Sequence, residues 1–257
     1  MPSNEMKRAI TDTICVFRIH LARLQAEIGP FVLAAVVFPV GMYLFVNAVA
    51  TVPGAAANAD QRLRFLAGSI VFSLSLTAIS WLGYLLLENR FTGRLKLFAT
   101  LPLAPSSYVL GILVFAIAQA AIGTASLFIV AAVFGVRAAL APFGVFLLAV
   151  TVCLMMLCGC GIAVIIATRA RSFSEGSLFT DALGAGLVLM APIYCAPEAL
   201  PRALQIFSRI LPTTYAAHSV HATLSGGSDV GADLLALSIM ATLTLAVGFR
   251  LMRWREE

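Results

Sequence analysis

The sequence predicts an all-α integral membrane protein with six transmembrane helices, and three observations carry that reading. Of 257 residues, 61% are apolar and only 11% charged, against about 25% charged in an ordinary soluble domain. The charges gather in short clusters and leave charge-free windows at 28–59, 65–87, 97–136, 138–168, 182–197 and 234–249. A helix crossing the hydrocarbon layer takes about 20 apolar residues. Four windows exceed that length, and the last two reach it with their flanking charges in the headgroups. Finally, the basic residues alternate in density. Segments 1–27, 88–106, 168–177 and 250–257 hold twelve of the seventeen Lys and Arg, and the alternate connections hold five. Because basic residues collect on the cytoplasmic side, both termini are expected there, which suits an even number of spans. The composition excludes a soluble globule and a disordered chain, and the basic groups are too dispersed to form a nucleic-acid surface.

Residues 1–28 form the first unit. Ile10, Ile14, Phe17, Leu21, Leu24 and Ile28 recur at helical spacing, with Arg8, Asp12, Arg18 and Arg23 off the stripe. This predicts an amphipathic helix lying in the cytoplasmic interface. A signal peptide is not expected, since both charge signs mix and no short apolar core precedes a cleavage site. The rest, 29–257, reads as one six-span domain. Span 1 is expected at about 30–50, kinked at Pro39 and Gly41, and a polar outer connection follows at 51–64. Span 2 (65–87) carries Ser73, Ser75, Thr77 and Ser80, whose hydroxyls can bond the preceding turn or a neighbouring helix. Spans 3 and 4 are expected at 107–134 and 142–167 with a tight outer turn between them, and spans 5 and 6 at 178–195 and 232–252. Gly159, Gly161, Gly184 and Gly186 predict close helix approach. The five cysteines (15, 153, 158, 160 and 195) read as small packing residues, not as a disulfide framework.

Two connections are more than loops. On the inner side, Glu88 to Ser106 places Leu95, Leu97, Phe98 and Leu101 on one face, and Pro102 and Pro105 end the helix. A short helix flat on the inner surface is expected. On the outer side, Pro197 to Gly231 carries Leu200, Leu204, Phe207, Ile210 and Leu211 at helical spacing, interrupted by Pro212. Two short helices dipping into the outer leaflet are expected, since backbone at that depth must be helical or covered.

Three sharper features were weighed. Leu224–Ser228 (LSGGS) nearly spells an ATP-binding-cassette signature, but neither lysine follows a glycine, so there is no Walker A loop, and the segment reads as a flexible outer turn. His218 and His221 share a helix face and could hold a metal with a third ligand. The plainer reading is a pair of interfacial histidines, and no His-Glu-x-x-His occurs. Asp181 is expected about one turn into span 5, where an acid favours the helix dipole; the other reading places it on a polar substrate path.

Both special connections carry a family likeness. Glu88, then Gly93, a leucine-rich turn, Leu101-Pro102 and Ser106-Ser107-Tyr108-Val109-Leu110-Gly111 resemble the first cytoplasmic loop of type-2 ATP-binding-cassette exporter permeases. PEALPRALQIFSRILPTTY (197–215) is similar to that family's stretch before the last span, where two prolines bracket a short helix and a Pro-Thr-x-Tyr-like element follows. The resemblance extends over essentially the whole chain.

It implies a permease subunit that is not itself an enzyme, paired with a second permease subunit, expected to be identical, and seated on two copies of a cytoplasmic ATPase that binds ATP and Mg. No cofactor or metal is expected on this chain, and the RWREE tail is too short for a fused ATPase. The coupling role falls on Glu88, Gly93, Leu97, Leu101 and Pro102, with a smaller contact at Arg169, Arg171 and Glu175. Pro197, Pro201, Pro212 and Tyr215 would form an outer gate. The charge-poor spans suit a lipophilic or amphipathic cargo, such as a drug-like molecule, lipid or glycan, exported outward. Phe31, Phe38, Met42, Tyr43, Phe179 and Met190 are candidates for its path, with helix packing and lipid contact as the plain alternative. Alanine- and arginine-rich usage suggests a bacterial source, hence a multi-pass inner-membrane protein in contact with lipid and not nucleic acid. The alternative function is a membrane-embedded metalloenzyme or assembly factor using the His218/His221 face.

Overall fold

The structure, a computed structural model, describes residues 2–26, 28–50, 58–100 and 104–251, and among these all regular structure is helical. The long helix α1 (Pro2–Ala26) packs on α5 (Pro105–Val133). Its contact face overlaps the apolar stripe only in part, with Phe17 packing on Phe115 of α5 at 6.2 Å between centroids. Val16 and His20 are buried, while Ile10, Ile14 and Leu21 are exposed. An interfacial helix has two apolar neighbours, lipid and bundle, and most of the stripe here faces away from the bundle. Gly111 of α5 makes the seat, since a Cβ there would lie 2.6 Å from that of Val16.

The first span, α2 (28–50), bends through a wide turn at Leu33–Val37 rather than at Gly41. Pro39 donates no hydrogen bond and its ring crowds the carbonyl four residues back, which is Ala35. That carbonyl faces Gly123 of α5, where a Cβ would come within 2.7 Å of it.

The central helix is α3 (Ala59–Phe91), longer at both ends than predicted and widened at Leu76–Trp81. Asn58 caps it, its side chain accepting from the Gln61 N–H at 2.8 Å. In its most apolar stretch 78% of residues are buried, against 17% in α2 and in α10 (Gly231–Leu251); α3 is therefore the core and those two are the periphery. Leu66, Ile70, Leu74, Ile79 and Leu82 of α3 meet Ile112 of α5 and Met155 and Met156 of α6 (Pro142–Arg169) in one core, with α10 lying along α6.

Among the described residues, five helices are long and apolar enough to cross a membrane. The expected fifth span is the exception. The helix there, α7 (Phe173–Leu189), starts and ends earlier than 178–195 and has 17 residues, about 25 Å against the ~30 Å hydrocarbon core. The chain after it packs into α3: a Cβ on Gly68 would meet the Tyr194 ring and the Ile193 carbonyl within 2.6 Å. A 3₁₀ turn (Pro197–Ala199), α8 (Arg202–Ser208) and α9 (Pro212–Leu224) then complete this end of the bundle. Two short helices stand in this stretch, and the second, α9, packs into the bundle. Thr213 Oγ1 donates to the Leu187 carbonyl at 2.7 Å, and the Ala139 N–H donates to the Leu224 carbonyl at 3.0 Å. Helix α9 thus rises from the end of α7 to the α5–α6 turn, enclosed by α3, α6 and α10.

Of the four glycines expected at close helix contacts, three are there. A Cβ on Gly159 would lie 2.4 Å from that of Ala78, one on Gly161 2.5 Å from the Thr244 carbonyl carbon, and one on Gly184 2.3 Å from Ser80 Oγ. Gly186 has nothing within 4 Å of such a Cβ and plays no such part. The five cysteines are free.

Candidate functional site at the two ends of the bundle

At one end, α3 runs out through Glu88, Asn89 and Arg90 and turns sharply. Gly93 takes φ +77°, a left-handed conformation that costs a glycine nothing, and α4 (Arg94–Thr100) starts immediately. Three side chains tie this corner to α5 and α6. The Arg90 guanidinium donates to the carbonyls of Ala167, Thr168 and Ala170 at 2.7, 3.1 and 2.9 Å, closing the last turn of α6, where carbonyls lack helical partners and a cation is favoured. The buried Asn89 amide donates to the Tyr108 hydroxyl at 2.8 Å, joining the end of α3 to the first turn of α5. Phe98 of α4 packs on the Tyr108 ring at 5.2 Å between centroids. Glu88 pairs with Arg94 at 3.2 Å across the turn.

The predicted coupling residues take distinct places in this corner. Glu88 and Gly93 shape the turn, Leu97 points outward with 66% of its surface exposed, and Leu101 and Pro102 lie outside the described residues. At the α6–α7 connection, Glu175 has a local task. Ser172 accepts from the Glu175 N–H, and the Glu175 carboxylate accepts from the Arg171 N–H at 2.9 Å, a variant of the capping box. The Arg169 and Arg171 side chains are exposed.

At the opposite end, the expected gate residues stand in two groups. Pro197 and Pro201 open the 3₁₀ turn and α8 at the surface, whereas Pro212 is buried at the first position of α9, where its missing N–H costs nothing. The Tyr215 hydroxyl donates to the Arg209 carbonyl at 2.6 Å, pinning α9 to the end of α8. Thr151 and Ser219 hydroxyls meet at 2.8 Å inside the α6–α9 contact.

The two histidines of α9 are drawn apart. His218 Nδ1 lies 2.6 Å from Asp233 of α10, and His221 Nε2 lies 3.1 Å from Asp60 of α3, which also pairs with Arg64 at 3.0 Å. Among the described residues no three His, Cys, Asp or Glu side chains gather as a metal ion requires. The metalloenzyme reading therefore loses its geometric basis. Burial and the Arg64 charge push the His221 pKa below its ordinary value, outweighing the exposed Asp60 beside it.

The candidate path residues do not form one surface. Phe179 on α7, Met190 just after its end and Phe38 on α2 are exposed, Phe38 stacking on Phe72 of α3 at 6.0 Å. Met42 is half-buried, Phe31 leans on Phe115 at 6.2 Å, and Tyr43 is buried inside the chain with 1% exposure. Asp181 is exposed on α7 beside Phe179, eight residues after the helix begins. It is therefore two turns in, beyond the reach of the helix-end dipole.

The sequence of residues 15–224 matches the family model of the ABC-2 type transporter. The chain belongs to the ABC-2 type transporter family. A comparison with curated proteins finds no match. The ABC-2 membrane domain is a transport permease and is not itself catalytic; ATP hydrolysis lies in the partner, and members of the family work with a cytoplasmic ATPase. The chain is thus a multi-pass membrane permease of an ABC transporter. Of the residues that tie the ABC-2 corner together, Tyr108 lies in the motif quoted above, whereas Asn89 and Arg90 have no site role in the sequence reading. A polar dipeptide ending a long apolar run was the available signal, because a buried amide and guanidinium must find partners.

Proposed function

We propose that this ABC-2 permease is one half of an exporter dimer, that its termini and α4 face the cytoplasm, and that α4 seats in a separate ATP-binding-cassette ATPase. The observation that carries the reading is the corner at Glu88–Tyr108. A short helix with an exposed leucine is joined by one turn to α3, by Tyr108 to α5 and through Arg90 to α6. Such a corner moves as a unit, so ATPase closure against α4 would rotate three helices together. Leu97 offers the apolar contact, and Arg171 the smaller one beside it. The exposed α2 and α7 flank α3, and their unpartnered apolar faces, with Asp181 among them, suit a second copy and a path for a lipophilic or amphipathic cargo. An acid at that depth is costly against lipid and is better placed facing a partner or a wet path. Outward export follows the family resemblance.

The test is co-purification of the tagged chain from native membranes. A polypeptide with ATP hydrolysis activity should accompany the wild type and be lost from Leu97→Asp, whose own thermal stability should not change because the side chain touches solvent. Retention of the ATPase by Leu97→Asp would remove α4 as the docking element.

A further inference from the structure

Polar side chains inside a membrane bundle find partners in the protein or in ordered water, because hydrocarbon offers none. Gln119 of α5 has none from its own chain. It is 1% exposed, and neither its Oε1 nor its Nε2 has a hydrogen-bond partner among the described residues. Its surroundings follow from helical spacing. Phe115, one turn earlier, is buried and packs on Trp81 of α3 at 5.5 Å and on Phe31 of α2 at 6.2 Å between centroids. One turn later, a Cβ on Gly123 would lie 2.7 Å from the Ala35 carbonyl oxygen of α2 and 3.1 Å from Ser73 Oγ of α3. Residues at i, i+4 and i+8 share a helix face, so Gln119 stands between those two contacts, on the face toward α2 and α3. Both neighbours leave the regular helical ladder at this level. Helix α2 is wide at Leu33–Val37 and α3 at Leu76–Trp81, and both wide turns touch α5. The Phe38 N–H donates to the Leu33 carbonyl, and the Leu82 N–H is shared between the Thr77 and Ile79 carbonyls. Pro39 supplies no donor, so this part of α2 holds one carbonyl more than its N–H groups serve.

The amide presents both a donor and an acceptor, and the proline leaves an acceptor over, so the missing partner must itself donate and accept. It must be small, because the Phe115–Trp81 stack closes the site on one side and the Gly123–Ala35 contact closes it on the other. It must also be neutral. None of the residues that bound the site, Phe31, Ala35, Ser73, Trp81, Phe115 and Gly123, carries a charge, and a carboxamide does not compensate an ion in an apolar core. Water meets all three conditions. A buried water makes about three hydrogen bonds to groups that would otherwise go without. Ordered waters and wide turns are also the means by which a spanning helix accommodates a proline. We propose that Gln119 holds resident water at the junction of α2, α3 and α5. The water accepts from Nε2, donates to Oε1 and gives a further hydrogen to the surplus carbonyl of α2, joining the helices where two of them lack a regular ladder. The proposal is independent of the export reading and of the cargo, since it needs only the packed bundle.

The experiment is nuclear magnetic resonance on the full chain in detergent micelles, with its four glutamines (25, 61, 119 and 205) labelled with nitrogen-15 at the side-chain amide. Gln119→Met, close in volume but without the amide, identifies the Gln119 signal as the one lost. Where that variant fails to fold, Gln25→Asn, Gln61→Asn and Gln205→Asn identify it by elimination. In the wild type, the Gln119 amide protons should show cross-peaks at the water frequency in both NOESY and ROESY spectra. In the ROESY spectrum their sign should be opposite to the diagonal, which marks a water proton held close by, whereas exchange gives the same sign. Ser73→Ala should keep these peaks, because they come from water and not from the neighbouring hydroxyl. An assigned Gln119 amide without water cross-peaks would overturn the proposal, as would peaks of the exchange sign alone. Loss of the peaks in Ser73→Ala would reassign them to the serine hydroxyl, and equally strong direct peaks at the exposed Gln61 amide would reassign them to surface water; either result overturns the resident site.

Discussion

The α6–α10 contact offers the sharpest test of the packing, through Gly161→Ala. A Cβ at Gly161 would lie 2.5 Å from the Thr244 carbonyl carbon and 2.7 Å from the Leu245 nitrogen. Ordinary contact begins near 3.4 Å, so α10 must retreat by about 1 Å, and it cannot do so by a rotamer change because the opposing atoms are backbone. From the other side, Gly248 brings its own Cα against the Gly161 carbonyl, where a Cβ would come within 3.2 Å. Separating the helices also strains the Thr244 hydroxyl bond to the Cys158 carbonyl, now 3.2 Å long. Overpacking of this kind costs about 1–3 kcal/mol, which in a chain of this size lowers the melting midpoint by about 2–10 °C. Gly186→Ala is the control. It meets nothing within 4 Å and gains helix propensity, so its midpoint should hold or rise by the equivalent of up to about 1 kcal/mol. The assay is thermal unfolding of both variants in one detergent. If Gly161→Ala melts with the wild type, the helices do not touch there and the α6–α10 contact as described is wrong.

Two further variants test the ends of the bundle. Arg90→Gln cannot reach three carbonyls, so the last turn of α6 should lose about 1–3 kcal/mol, read as a lower melting midpoint, with Arg90→Lys falling between. A wild-type midpoint for Arg90→Gln would deny the guanidinium its structural role. His221 lies outside the spanning helices, and its folded pKa is below the ordinary 6.5, so the unfolded chain takes up the proton first. Stability is therefore complete above pH 6.5 and declines as pH falls below it toward the folded value. The wild type should lose thermal stability between pH 6.5 and pH 5 more steeply than His221→Gln, and parallel pH profiles would refute the shift.

The elements the sequence disclosed are those that report on solvent and lipid. Long apolar runs mark spans because hydrocarbon tolerates little else, and Pro105, Pro197 and Pro212 mark where helices start. What stayed hidden depends on neighbours. The expected stripe of α1 was right as an amphipathic pattern but could not say which apolar phase, lipid or bundle, each leucine would meet. Span 5 was misplaced because its window (182–197) begins only after Asp181, while the helix starts at Phe173 with a Ser172 cap. Residues 210–228 are also free of Asp, Glu, Lys and Arg, and the bundle buries much of that stretch as α9. Its serines, threonines and histidines give no sign of that burial by themselves, and their partners, Thr151, Asp60 and Asp233, come from other helices. The Arg90 clamp joins residues nearly eighty positions apart, and nothing local announces it.

The wide turn in the middle of α3 explains how its two ends are tied to one neighbour. Ser75 Oγ donates to the Gly184 carbonyl at 3.0 Å and Ser80 Oγ to the Thr180 carbonyl at 3.2 Å. The two acceptors are four residues apart, one turn of α7. The two donors are five residues apart, and in a regular helix of 3.6 residues per turn they would point about 140° away from each other. The i→i+5 turn at Leu76–Trp81 widens the helix where it lies between them, so both hydroxyls reach the same neighbour. The glycines match this arrangement, since a Cβ on Gly184 would strike Ser80 and one on Gly83 would strike Thr180. Helix α3 ends in the Glu88–Arg90 corner, and α7 hands the chain to the outer cap through Leu187 and Thr213. A displacement of α4 therefore has a continuous packed route through α3 and α7 to α9.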